Sequence, residues 1–148
     1  MKNIGCYTGS VVVAFAVIVV VLFHHSETLF PSWWGSHSLG DNFYAMDWDG
    51  GNQIVVYCPN PRGKTAISGL YLIKKRNMDC IDIKYNDTYI AMIAHDMHTG
   101  KLEYYIFDKR CIEGIARDSV TYDKLQAGLE QFPNENQYKE QCQKLKIK

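Results

Sequence analysis

From Ile4 to Phe23 the chain carries no charged side chain, and Val11 to Phe23 reads Val-Val-Val-Ala-Phe-Ala-Val-Ile-Val-Val-Val-Leu-Phe. About 20 apolar residues, each rising about 1.5 Å in a helix, match a hydrocarbon layer of about 30 Å. The β-branched residues do not defeat helicity there, because backbone polar groups in lipid must be satisfied within the segment. A cleaved signal peptide would end in a small-x-small pattern. The apolar run instead gives way to His24-His25-Ser26-Glu27-Thr28-Leu29-Phe30-Pro31-Ser32-Trp33-Trp34, and Cys6 precedes the run rather than trailing it. The expectation is an uncleaved anchor and its exit over residues 1–30, then one extracytoplasmic domain over residues 31–148.

Charge sets the orientation. Lys2 and the amino terminus lie before the span, and no Lys or Arg occurs after it until Arg62. Basic residues are retained on the cytoplasmic side, so the N-terminus is expected inside and the body in the periplasm, beside a bacterial inner membrane crossed once. Membrane lipid is then a partner of the N-terminal helix. Trp33 and Trp34 fit either the outer interface or the start of the folded core. The formal net charge is zero, which excludes a dedicated nucleic-acid binder with its usual basic excess.

Cysteine usage agrees with that topology. Cys6 falls at the cytoplasmic edge, leaving Cys58, Cys80, Cys111 and Cys142 outside, where an oxidising compartment permits bridges. The expected pairs are Cys58–Cys80 and Cys111–Cys142, with buried reduced thiols as the alternative. No CxxC spacing supports a redox dithiol or a zinc ribbon.

The body reads as an antiparallel β meander of five to six strands with one or two C-terminal helices, an α+β class preceded by one transmembrane helix. Strands are expected over residues 42–48, 53–58, 66–75, 80–85, 89–94 and 102–107, from β-branched and aromatic runs bounded by Asp, Asn, Gly and Pro. Tyr89 to Ala94 is apolar throughout, as suits a strand covered on both faces. Val120, Tyr122, Leu125, Leu129 and Phe132 share one helical face up to Pro133, and Asn134 with Gln137 caps a second helix whose inward residues are Tyr138, Cys142 and Leu145.

Candidate chemistry is sparse. His95 and His98 flank Asp96, but HxxH in a turn lacks the i, i+4 geometry of HExxH, so no metal site is assigned. Asp47, Asp49, Asp79, Asp82 and Asp87 could supply a carboxylate pair only if the fold brought two together. Ser36, His37 and Ser38 lack a nucleophile elbow, and Pro59 to Lys64 lacks the glycine spacing of a phosphate loop. Lys74, Lys75 and Arg76 read as a solvated strand end. Asn86-Asp87-Thr88 is a glycosylation sequon. No catalytic residue and no cofactor is assigned.

Leu39-Gly-Asp-Asn-Phe-Tyr44, Ile83-Lys-Tyr-Asn-Asp-Thr-Tyr-Ile-Ala91 and Tyr104-Tyr-Ile-Phe-Asp-Lys109 resemble, in that order, the LGxxYY strand, YNDxYIIA hairpin and YYIIDK strand of small exported bacterial β-sheet proteins of uncharacterised function. The resemblance implies an exported sheet and then a helix, and it carries no catalytic residues. The functional expectation is a membrane-anchored, non-catalytic module that recognises an envelope protein. The alternatives are a small hydrolase or metal-dependent enzyme, and a structural subunit of a membrane complex.

Overall fold

In a computed structural model, the residues described are 35–48, 52–61 and 69–148. Strands whose side chains alternate between two covered faces build most of what they form. In Phe43–Trp48 (β2), Phe43 and Ala45 point one way while Tyr44 and Met46 point the other, and all four are buried. Asn52–Tyr57 (β3) does the same, sending Val55 and Tyr57 to the main core, and Ile54 and Val56 to the opposite face. Ser36–Gly40 (β1) pairs with β2, and Leu70–Tyr71 (β4) pairs with Tyr57 and Val56, giving one antiparallel sheet in the order β1-β2-β3-β4.

The second sheet has the order β5-β6-β7-β8. Its strands are Met78–Tyr85 (β5), Tyr89–Asp96 (β6), Lys101–Asp108 (β7) and Leu129–Phe132 (β8), all antiparallel. Asn86 closes the β5–β6 turn, its Oδ1 accepting from the Thr88 and Tyr89 N–H groups. Asp96 closes the β6–β7 turn in the same way, accepting from the His98 and Thr99 N–H groups. Side-chain acceptors of this kind are what make Asn and Asp good turn residues. β6 is covered on both faces, with Ile90, Met92 and Ala94 towards the main core and Ala91 towards the other side.

The two sheets share the main core. Phe43 sits at its centre, its ring centroid 5.2 Å from Tyr57 and 5.0 Å from Phe107, so residues of both sheets meet there in tilted and edge-on contacts. Burying a side chain of that size contributes about 2–3 kcal/mol. On the far face of the second sheet lies Glu135–Lys144 (α2), capped by Asn134, whose side chain accepts from the Gln137 N–H. It presents Tyr138 and Cys142 to Ala91 and Ile106.

This architecture corrects the expected single meander of five to six strands with one or two C-terminal helices. The described residues make two four-stranded antiparallel sheets and one helix of substance, α2. The expected strand over residues 66–75 pairs only at Leu70 and Tyr71, since Leu72 turns fully into the core and the chain crosses to the second sheet through residues 72–77. The expected helix over residues 120–132 stops after one short piece, Tyr122–Ala127 (α1), and Leu129–Phe132 becomes β8. Gly128 caps that piece and its carbonyl accepts from the Asp108 N–H at 2.9 Å, an approach that needs glycine, since a Cβ there would lie 2.9 Å from the Asp108 carbonyl oxygen and against the Cys111 sulfur. Beyond it, the open edge of β7 takes residues 129–132 as a partner. Residues three apart then face opposite ways, so Leu129 packs on the main core and Phe132 on the α2 side.

Among the described residues no helix is long and apolar enough to cross a membrane. The expected span Ile4–Phe23 lies outside the described residues, as do Cys6, His24, His25, Trp33, Trp34 and Asp49.

Candidate functional site: a cleft with a basic end

The crossing between the sheets leaves a cleft of about 520 Å³. Ile54 and Val55 from β3, Ile73 from the crossing and Met78 from β5 give it an apolar lining. Tyr71 and Met97 also line it and are two of the few large hydrophobic side chains left exposed, at 38% and 45%. Lys74, Lys75 and Arg76 complete one end, and among the described residues no acidic side chain lines the cleft.

Lys75 is fixed rather than free. Its Nζ lies 2.7 Å from Asp96 Oδ2 and 2.6 Å from Glu103 Oε1. Hydrogen bonds from Lys75 hold the Asp96 carboxyl well below the usual carboxylate range, against the opposing effect of burial, with further help from the turn N–H groups. Burial pushes Glu103 up, yet the Lys75 ammonium and the Tyr105 hydroxyl, which donates to Glu103, overcome it and leave its carboxyl below its ordinary value. The Tyr105 phenol is raised by burial and by that carboxylate. Lys75 is raised in return, first by Asp96 and then by Glu103. Lys74 lies 5.6 Å from the centroid of the Tyr122 ring, a cation–π contact. Arg76 is exposed at the same end.

A buried cation holds another part of the fold together. Lys109, only 5% exposed, donates to the Leu39 carbonyl at 2.7 Å and the Asn86 carbonyl at 2.9 Å. It thereby links the end of β1 to the β5–β6 turn. Burial pulls its amine below the ordinary lysine value, and Asp41, 3.7 Å away, partly restores it.

Among the described residues the cysteines are four free thiols: Cys58, Cys80 and Cys142 buried, and Cys111 half-buried. The expected pairs Cys58–Cys80 and Cys111–Cys142 are not formed, because the members of each pair lie on opposite sides of a sheet. Cys58 belongs to the outer-face cluster of the first sheet with Tyr44, Met46 and Val56, while Cys80 faces the main core. Cys111 likewise packs on the main core, and Cys142 lies under α2 on the other side of the second sheet. Burial pushes the Cys80 thiol up to about 12 and raises Cys111 and Cys142.

The remaining candidates are scattered and already occupied. Asp96, between His95 and His98, is spent on its turn and on Lys75, and no three metal-ligating side chains gather among the described residues. Asp47 accepts from the Gln53 side chain, Asp79 from the Gln53 N–H, and Asp82 lies near Lys84. The sequon residue Asn86 uses its side-chain N–H on the Leu145 carbonyl, a bond that a glycan on that nitrogen would disturb. Sequence patterning puts Lys74–Arg76 at a strand end and does not single out Tyr71, Met97, Glu103 or Lys109. Tyr71 and Met97 sit 26 positions apart, and only the crossing brings them to one cleft.

Comparison with known proteins finds no family model, no curated protein and no solved structure that matches this chain.

Proposed function

We propose that residues 35–148 form a non-catalytic recognition module whose cleft takes a segment of an envelope protein, an apolar side chain flanked by carboxylates. The observation that carries this reading is the exposed pair Tyr71 and Met97 beside an apolar lining that ends in Lys74–Arg76. Aromatic residues, Met and Arg are the types enriched at protein interfaces, and the flexible thioether of Met adapts to varied side chains. With Lys75 already paired to Asp96 and Glu103, Lys74 and Arg76 leave the end of the cleft basic among the described residues and favour an acidic partner. The apolar stretch from Ile4 to Phe23, with Lys2 before it, supports placement at the inner membrane with the module in the periplasm. The resemblance to small exported β-sheet proteins supports the same side of the membrane.

Photocrosslinking in cells tests the reading. A photoreactive residue replacing Met97 should yield an adduct whose mapped peptide has an apolar residue beside Asp or Glu, whereas the same probe replacing Glu140 on α2 should not. Adducts to lipid alone, or to basic segments, contradict it. Alkaline phosphatase fused after Lys148 should be active, and inactivity contradicts the periplasmic placement.

A further inference from the structure

β5 is an edge strand: among the described residues its one ladder is with β6. Its two halves differ. Near its start Asp79 Oδ1 accepts from the Gln53 N–H at 2.7 Å, tying that half to β3. A register shift between Cys80 and Asp82 then leaves Ile81 out of the ladder and turns the strand outward. From there to Tyr85 the strand is open to solvent, with Ile81 55% and Tyr85 45% exposed. Open strand edges template pairing with further strands and are usually blunted or covered. This one has a bulge and the exposed Lys84, yet beside them it leaves two apolar side chains exposed.

The five residues Ile81-Asp82-Ile83-Lys84-Tyr85 read as a chemical palindrome about Ile83. We propose that this edge pairs antiparallel with β5 of a second copy of the chain, about a two-fold axis at Ile83. The regular positions then meet their complements, Asp82 opposite Lys84 of the second copy and Ile83 opposite Ile83, while Ile81, on the bulge, lies beside the Tyr85 end of the second strand. A two-fold interface must be self-complementary in this way, residue i meeting j while j meets i. A strand of unrelated sequence has no reason to set Asp opposite Lys on both sides of a central Ile, so the second copy is the occupant the edge favours.

The single chain leaves these charges underused. Lys84 Nζ and Asp82 Oδ2 lie 3.9 Å apart on one strand, with both side chains close to half exposed. Side chains directly opposite across an antiparallel pair have Cβ atoms about 5 Å apart, where opposite charges stabilise and like charges destabilise. Asp82 and Lys84 share one face, beside Ile93 and Ala91 in the β6 register, and Ile83 and Tyr85 share the other, beside Met92 and Ile90. The paired edges would join two β5-β6-β7-β8 sheets into one continuous sheet.

Sedimentation of the full chain in density-matched detergent tests the proposal. The wild-type chain should sediment as a dimer that dissociates on dilution. Asp82→Lys alone sets like charges opposite each other twice over and should weaken self-association roughly tenfold or more, and Lys84→Asp alone should do the same. Asp82→Lys combined with Lys84→Asp restores the complement and should recover the dimer, which separates loss of pairing from loss of folding. A monomeric wild-type chain, a dimer that the single changes leave intact, or a double variant no tighter than the singles overturns the proposal.

Discussion

The Lys75 ammonium lies 2.7 Å from the Asp96 carboxylate, tying the crossing between the two sheets to the β6–β7 turn. Glu103 joins the pair from β7. Asp96 and Glu103 both have folded pKa values below their ordinary ones. Their contribution to stability is therefore complete above the unfolded carboxylate range, near pH 4, and is lost as pH falls through the folded values. Lys75 is shifted up, so its contribution is complete below the unfolded lysine value, near 10.4, and is lost as pH rises beyond its folded value. Thermal midpoints should stay level between about pH 5 and 9 and fall below about pH 4. In Lys75→Met the level part should lie lower and the acid fall should be shallower. An acid fall of unchanged steepness in that variant would assign it to other carboxylates.

Lys109 makes the clearest single-residue prediction. Lys109→Met keeps the length of the side chain but removes the donors to the Leu39 and Asn86 carbonyls. A hydrogen bond from a charged donor contributes about 1.5–3 kcal/mol, so the variant should lose about 3 kcal/mol in urea unfolding. A loss below about 1 kcal/mol would mean that solvent replaces the donors.

Thiol chemistry separates the fold from a bridged alternative. Cys58, Cys80 and Cys142 are buried free thiols, and with Cys80 raised to about 12 it has almost no thiolate at neutral pH. Protein purified without reductant should give no disulfide-linked peptide among the four positions. Cys111 should alkylate first, and the buried three should react only after denaturation. A mapped Cys58–Cys80 or Cys111–Cys142 bridge would contradict the placement of these residues on opposite sides of their sheets.

The strands β2, β3, β5, β6 and β7 are legible in the sequence because β-branched and aromatic runs, bounded by Asn, Asp, Gly or Pro, mark them independently of tertiary context. β1 is not, since Ser36-His-Ser-Leu-Gly40 buries only Leu39. β8 is not, because Leu125, Leu129 and Phe132 fit a helical stripe as well as a short helix plus a strand, and the deciding contact, Gly128 against Cys111 and Asp108, is remote in sequence. The cysteine pairs misread for the same reason: loop length between Cys58 and Cys80 says nothing about which face of a sheet each side chain takes. The turn role of Asp96 is partly legible from its place shortly before His-Thr-Gly, but its bond to Lys75 depends on the crossing at residues 72–77. The cleft has no local signature at all.

Peptide binding with matched variants tests the recognition reading most directly. Labelled peptides carrying one Leu or Phe beside Asp or Glu, with neutral and basic counterparts, would be titrated against the full chain by fluorescence polarisation. The acidic apolar peptides should bind, with affinity falling as salt rises, and Met97→Glu or Arg76→Glu should weaken them about tenfold or more while leaving thermal stability unchanged. Equal binding of neutral or basic peptides, no binding of any class, or affinity that both substitutions leave intact would contradict the assignment of this cleft as the recognition site.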